Sequence, residues 1–513
     1  MKFYITTPIY YLNDEPHIGH AYTTIAADIM ARWKKIRGFD VFFLTGSDEH
    51  GAKIAAAAKE KGKTPQEFTD EMSGKFKEIW KLLNISYSDF IRTTEERHIK
   101  SVQTIIQTLY DNGLIYKNKY EALYCIGCEK FMSEKELDEN GLCPYHKAKP
   151  VLQSEENYFF KLSQFQQPLL ERITDPSHKE HLEICPEERK NEITGKLKLG
   201  LEDISVSRAA LSWGIPLPFD KEQTIYVWVD ALVNYITATG YPNTADALYK
   251  FWPSDIHLMA KDILWFHSVI WPAILMGCGL PIPKQIYSHG FFTIDGNKMS
   301  KSLGNAISPR YLADSFGIDP LRYLAVSLIP FGPDGDISYS ALKAKYNEDL
   351  ADNLGNLISR VIKMAAKYFD LIVPKASGEE SSALFKSVKN VLENDFESEM
   401  DNFQLHKAAF ALQKALTLIN QQIENDAPWK LAKTDREDLA QKIFSYLQSI
   451  DLILIYLFPF MPSLSQKIWT ICAAQGSVEE SAKQYFKKGA SLSIFSKAGA
   501  KLLDSGILFP KKV

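Results

Sequence analysis

The sequence predicts an α/β protein: a parallel-sheet domain, interrupted by an insertion and followed by an α-helical bundle. Three observations carry this expectation. Residues 1–115 alternate strand and helix patterns, clustered cysteines and turn residues break the alternation over 116–224, and after about residue 345 strand patterns give way to helical ones. With 513 residues, 45% hydrophobic and 24% charged, the chain has room for several domains around ordinary cores. A net charge of −4 excludes a global pull toward nucleic acid and leaves a local basic face open.

The elements follow in order. The opening "KFYITTPIYY" is β-branched and aromatic, so it reads as a strand. It is not the basic-then-apolar start of a signal peptide, and no run of 18 apolar residues predicts a membrane span. In "HAYTTIAADIMARWKKIRG", Ile25, Ile29, Trp33 and Ile36 recur at helical spacing, and Gly38 is the expected stop. "FDVFFLTGSDEHG" is a buried strand running into a polar loop, which completes a βαβ pattern and implies a parallel sheet. The sheet pattern resumes over 225–290 with "TIYVWVDALVNY" and "DIHLMAKDILWFHSVIWPAIL". Residues 291–345 begin with a strand entering a Gly-, Lys- and Ser-rich loop, and 346–513 carry the bundle, as in "FQLHKAAFALQKALTLINQQI".

Two stretches point to phosphate chemistry. His17 and His20 bracket Gly19 where the first strand hands over to the first helix. In an open parallel sheet ligands bind beyond the carboxyl ends of the strands, and helix N-terminal amides favour anions. The imidazoles could donate to phosphate oxygens or simply pack; a metal role lacks a third ligand nearby. In "DGNKMSKSLGN", Lys298 and Lys301 flank Ser300 between Gly296 and Gly304, a loop able to neutralise charge on a leaving pyrophosphate, or a plain solvated turn. A third stretch points to metal. Cys125, Cys128, Cys143 and His146 form C-x-x-C and C-x-x-H hooks, the spacing of a closed, structural, tetrahedral zinc site. The other cysteines, Cys185, Cys278 and Cys472, are isolated. Sparse cysteine usage points to a reducing, cytoplasmic setting.

The ordered pair "PHIGH" and "KMSKS" resembles the two signatures of class I aminoacyl-tRNA synthetases. "TTPIYYLNDEPHIGHAYTT", "GSDEHGAKI", "YVWVDALVNY", "KDILWFHSVIWPA" and "HGFFTIDGNKMSKSLGN" together resemble the methionyl-tRNA synthetase family, in its bacterial type and short form. The resemblance implies a Rossmann-like catalytic domain with an inserted zinc-binding domain and a helical anticodon-binding domain. It implies a ligase that joins methionine to ATP as the adenylate, then to initiator and elongator methionine tRNA, with Mg²⁺ accompanying ATP and one zinc per chain.

By the same resemblance, His17, Gly19, His20, Lys298, Ser300 and Lys301 bind ATP. Ile9, Tyr11, Trp228, Ala231, Tyr235, Ile263, His267 and Trp271 line the methionine pocket, and Asp48 holds the amino group. On spacing alone, Ile263, His267 and Trp271 are four apart and share a helix face that reads equally well as core. Arg208 matches an arginine tied to activation, or forms a stacking pair near Trp213. Asn356, Arg360 and Trp429 match anticodon-reading residues, a role that suits polar edges and an aromatic face. Because the chain ends soon after "SGILFPKKV", without the dimerising domain of longer members, a monomer is expected.

Overall fold

The computed structural model describes the chain apart from residues 126–129, 133–136, 145–146, 210, 295–296, 299–306, 376–381, 489–494 and 513. Among the described residues six strands form one sheet: β1 (Lys2–Tyr11), β2 (Asp40–Asp48), β3 (Asp89–Arg92), β4 (Glu183–Cys185), β5 (Ile256–Ala260) and β6 (Gln285–His289). Their order is β3–β2–β1–β5–β6–β4, and every pairing is parallel. Layers on both faces bury these strands, which is why β2 reads as a continuous apolar run rather than an alternating one. Chain order reverses between β1 and β5. The crevice at their carboxyl ends is therefore the switch point where such sheets bind ligands.

The first helix, α1 (Ile18–Ile36), starts in that crevice. It stops ahead of Gly38, whose φ of +87° is a conformation that costs glycine nothing. Its far end lies among the C-terminal helices. Trp33 packs on Phe396, Tyr456 and Phe486, Lys34 pairs with Asp401, and Arg37 pairs with Glu397. One apolar core runs without a break from α1 into those helices. In its middle, buried Asp28 meets Arg32 and Arg322, both at 2.7 Å. Arg322 also donates to the carbonyls of Leu83, Pro459 and Phe460.

The stretch read as an insertion holds a four-stranded antiparallel sheet, ordered Lys130–Met132, Ile115–Cys125, Val151–Phe160 and Ile204–Ser205. The same stretch also supplies β4, which pairs with β6 at the edge of the parallel sheet. At three residues β4 is too short to show a period, so the sequence carried no signal for it. Beyond residue 345 the described elements are helical, with one isolated bridge between Ile372 and Lys501. No helix among the described residues is long and apolar enough to cross a membrane.

Candidate active site

The two signature histidines sit at the head of α1 and cap it reciprocally. His17 Nδ1 accepts from Gly19 N at 3.1 Å, and His20 Nδ1 accepts from His17 N at 3.2 Å. The rings stack with centroids 3.8 Å apart. A neutral imidazole whose Nδ1 accepts must carry its proton on Nε2. The cap thus makes Nε2–H the donor of both rings, at the positive end of a 19-residue helix. His20 is seated by aromatic contacts to Tyr10 and Phe76. Ile18 N donates to the carbonyl of Ile307, so the exit of the Lys/Ser loop lies directly against the head of α1. Asn297–Lys298 pairs with Thr293–Ile294 on the loop's entry side; Ser300 and Lys301 lie outside the described residues.

Tyr11 and Asp48 are register partners at the carboxyl ends of β1 and β2, and Ile9 pairs with Gly46 across a bulge. Glycine is required at 46: a Cβ there would lie 2.1 Å from the Ile91 carbonyl oxygen and 3.0 Å from Ile9. Of the residues expected to line a methionine pocket, His267 and Trp271 pack against Tyr235. Its hydroxyl donates to His267 Nε2 at 2.7 Å, and His267 Nδ1–H donates to the Ile263 carbonyl at 2.9 Å. Burial pushes the His267 imidazole down to about 4 and lifts the Tyr235 hydroxyl above its ordinary range, so this pair is neutral. Trp271 packs near Tyr235, while Trp228 stacks on Phe266 at 4.1 Å. Ala231 is buried on the helix Val227–Leu232.

The backbone around these residues departs from the expected single helix. Lys261–Ile263 is a 3₁₀ turn, Phe266–Ile270 a π-helical segment, and Trp271–Gly277 an α-helix. Pro272 has no N–H and crowds the carbonyl four residues back, which favours a widened turn just before it. Arg208 does form a stacking pair, with Tyr226 at 4.1 Å. Trp213 instead donates its indole N–H to the Glu49 carbonyl at 2.6 Å and packs on His50.

The remaining expected sites lie apart from the crevice. Cys125 and Cys143 are buried together with Met132 in a small cluster of their own. Cys128 and His146 lie outside the described residues, and among those described no three potential ligands converge. In the helical domain, Asn356 and Arg360 lie on the helix Asn356–Phe369. Arg360 pairs with Glu424 and reaches Asn420, both near the end of the helix Leu405–Asp426. Left-handed Ala427 then turns the chain into Pro428–Thr434, which presents Trp429 at 45% exposure. The structure thus brings Arg360 and Trp429 to one end of the bundle.

Several polar residues around the crevice had no assignment from sequence. His289 closes β6, its Nδ1–H donating to the Gly290 carbonyl and its Nε2 accepting from Thr23 of α1 at 2.7 Å. His257 bonds Thr6 and packs on Tyr235 with ring centroids 4.1 Å apart. Asp230, on the Trp228 helix, joins His50 to His98. Each is one polar residue in a buried run or loop, with no spacing to mark it.

Comparison with known proteins bears on the whole chain. Residues 3–149 and 136–362 match the family model described as tRNA synthetases class I (M), and 373–511 match the anticodon binding domain of methionyl tRNA ligase. A methionine–tRNA ligase of Caldanaerobacter subterraneus is 46% identical over 91% of this chain and 73% of its own length. That of Thermotoga maritima is 42% identical over 100% of this chain and 80% of its own. The structure of Mycobacterium tuberculosis methionyl-tRNA synthetase with methionyl-adenylate superposes with a TM-score of 0.92 at 34% identity, covering 99% of this chain and 100% of that one.

Proposed function

The chain belongs to the methionyl-tRNA synthetase family, and on that premise we propose which of its side chains carry the family's reaction. The activity is that of a methionine–tRNA ligase: ATP activates methionine to methionyl-adenylate with release of pyrophosphate, and methionine then passes to tRNA. In the first step a methionine carboxylate oxygen bonds to the α-phosphorus as the bond to the β-phosphate breaks and pyrophosphate leaves with the electron pair. In the second a ribose hydroxyl of the tRNA takes the acyl group and AMP leaves.

His17 and His20 donate Nε2–H to ATP phosphates, while Gly19 lets the nucleotide approach the backbone. Lys298, Ser300 and Lys301 close on the departing pyrophosphate. No side chain forms a covalent bond; positioning and charge stabilisation do the catalysis. Mg²⁺ bound with ATP would neutralise further phosphate charge. Asp48 receives the ammonium of methionine. Ile9, Tyr11, Trp228, Ala231, Tyr235, Ile263, His267 and Trp271 enclose its side chain, with the neutral Tyr235–His267 pair as their polar end. Arg208, through Tyr226, supports the helix that carries Trp228. Asn356, Arg360 and Trp429 read the anticodon of initiator and elongator methionine tRNA by edge bonding and stacking.

The observation that carries this reading is the histidine cap, which makes Nε2–H the donor of two imidazoles at a helix N-terminus. Methionine-dependent ATP–pyrophosphate exchange tests it. His17→Ala and His20→Ala are each expected to lower kcat by about a hundredfold and to leave the methionine KM within about threefold. A raised methionine KM at unchanged kcat would overturn the assignment. Trp429→Ala should spare exchange and lower charging kcat/KM by about tenfold or more, stacking being worth ~1–3 kcal/mol per base.

We also propose that Cys125, Cys128, Cys143 and His146 hold one structural zinc, closing the small inserted knuckle. The burial of Cys125 and Cys143 in one cluster and the soft donor set support it. Elemental analysis should find one zinc per chain, lost in Cys125→Ser. A cytoplasmic monomer completes the reading, and equilibrium sedimentation would expose a dimer.

A further inference from the structure

The helix Val227–Leu232, which carries Trp228 and Ala231, has six residues and no side-chain cap. A helix this short does not hold its own orientation in water; tertiary contacts must set it. One contact is unlike the apolar packing around it. Asp230 projects from the middle of the helix and is fully buried. Its Oδ2 accepts from His50 Nδ1 and its Oδ1 from His98 Nε2, both at 2.7 Å. His98 is fully buried on the helix Glu96–Asp111, and His50 is 5% exposed, two residues after Asp48. The loop that carries His50 is pinned from its other side by Trp213, which donates to the Glu49 carbonyl and accepts from Gly51 N.

We propose that His50, Asp230 and His98 form a positioning brace that sets the spacing between the amino-group site at Asp48 and the side-chain wall at Trp228 and Ala231. The inference rests on the assignment of those three residues to methionine. Apolar side chains would fill the same volume at lower desolvation cost, but they would not specify a register. A carboxylate does specify one, because each oxygen takes one imidazole from a different element. Burial alone would raise the Asp230 carboxyl; the two rings carry it below its ordinary value, which keeps both oxygens as acceptors. Neither histidine nor Asp230 needs to touch substrate: the brace acts through Asp48 and Trp228.

Exchange kinetics on the full chain test this. His98→Leu removes one arm that has no role in the pocket assignment, whereas His98→Gln keeps an N–H near the Nε2 position. The leucine variant should raise the methionine KM about tenfold and change the ATP KM less than about twofold, and the glutamine variant should recover most of the loss. KM does not depend on how much of the sample is folded, so a merely structural role would not produce this split. Should His98→Leu not be recovered folded, His50→Leu against His50→Asn gives the same readout at the less buried arm. An unchanged methionine KM, or equal rises in both KM values, overturns the brace. Trp228→Ala is measured alongside. If it too leaves the methionine KM unmoved, the pocket assignment fails; if it raises the KM while the brace variants do not, the brace alone fails.

Discussion

His267 and His289 share one electrostatic condition. Burial pushes each imidazole down to about 4, and each donates Nδ1–H to a backbone carbonyl. Both are therefore neutral at physiological pH, with Nε2 accepting from a hydroxyl. The unfolded chain protonates them near 6.5, so the contribution of these two groups to stability is full above that pH and falls as pH drops from about 6.5 toward 4, by ~1.4 kcal/mol per pH unit for each group. Denaturant midpoints measured across this window should show the slope, and His289→Gln should remove about one proton's share of it. An unchanged slope in that variant would mean His289 is not buried neutral. At this scale His17 and His20 were readable in the sequence because two imidazoles around a glycine at a strand–helix junction are unusual. His289 and Asp230 were not: a lone polar residue carries no spacing, and its partner lies hundreds of positions away for His289 and well over a hundred for Asp230.

At the scale of elements, the most demanding position is Gly46 in β2. Any Cβ there meets the backbone of β3 and the side chain of Ile9, and backbone has no rotamer to yield. Gly46→Ala should cost about 1–3 kcal/mol or more and raise the methionine KM, since relief must come from the strand ends that carry Ile9 and Asp48. A thermal melt and exchange kinetics check both; a neutral variant would mean β2 and β3 separate more readily than their register implies. The long strands and α1 were legible because nine or more residues give a period or a run time to show. Short elements were not: the three-residue β4 and the π segment before Pro272 are set by partners and by a missing N–H, not by local pattern. Across the same π segment the His267 ring bonds the Ile263 carbonyl, so these two residues meet even though the single predicted helix did not form.

For the whole molecule, the joint at Asp28 decides how the parts move. It ties α1 to Arg322, and through Arg322 to Leu83, Pro459 and Phe460. Burial would lift the Asp28 carboxyl, but Arg32 and Arg322 hold it down at about 2, so the charge persists at any physiological pH. Removing one partner strands the other in a dry site. Asp28→Ala should destabilise by about 3–5 kcal/mol, and Asp28→Ala with Arg322→Met should cost less than the two single changes summed. Additive melting shifts would show that the pair is not coupled. The change from a parallel sheet to helices along the chain was legible from texture alone, but this joint was not, because it is made of residues almost 300 positions apart. It lies part-way along a rod. At 1.5 Å per residue the 19 residues of α1 span about 28 Å, gripped at one end by Phe396, Tyr456 and Phe486 and bearing His17 and His20 at the other. On such an arm a rotation of about 2° at the gripped end sweeps the imidazole tips through roughly 1 Å, a displacement that costs on the order of a hundredfold in rate when reacting groups must be aligned. The leverage of one helix makes the helical domain part of the alignment of the phosphate site.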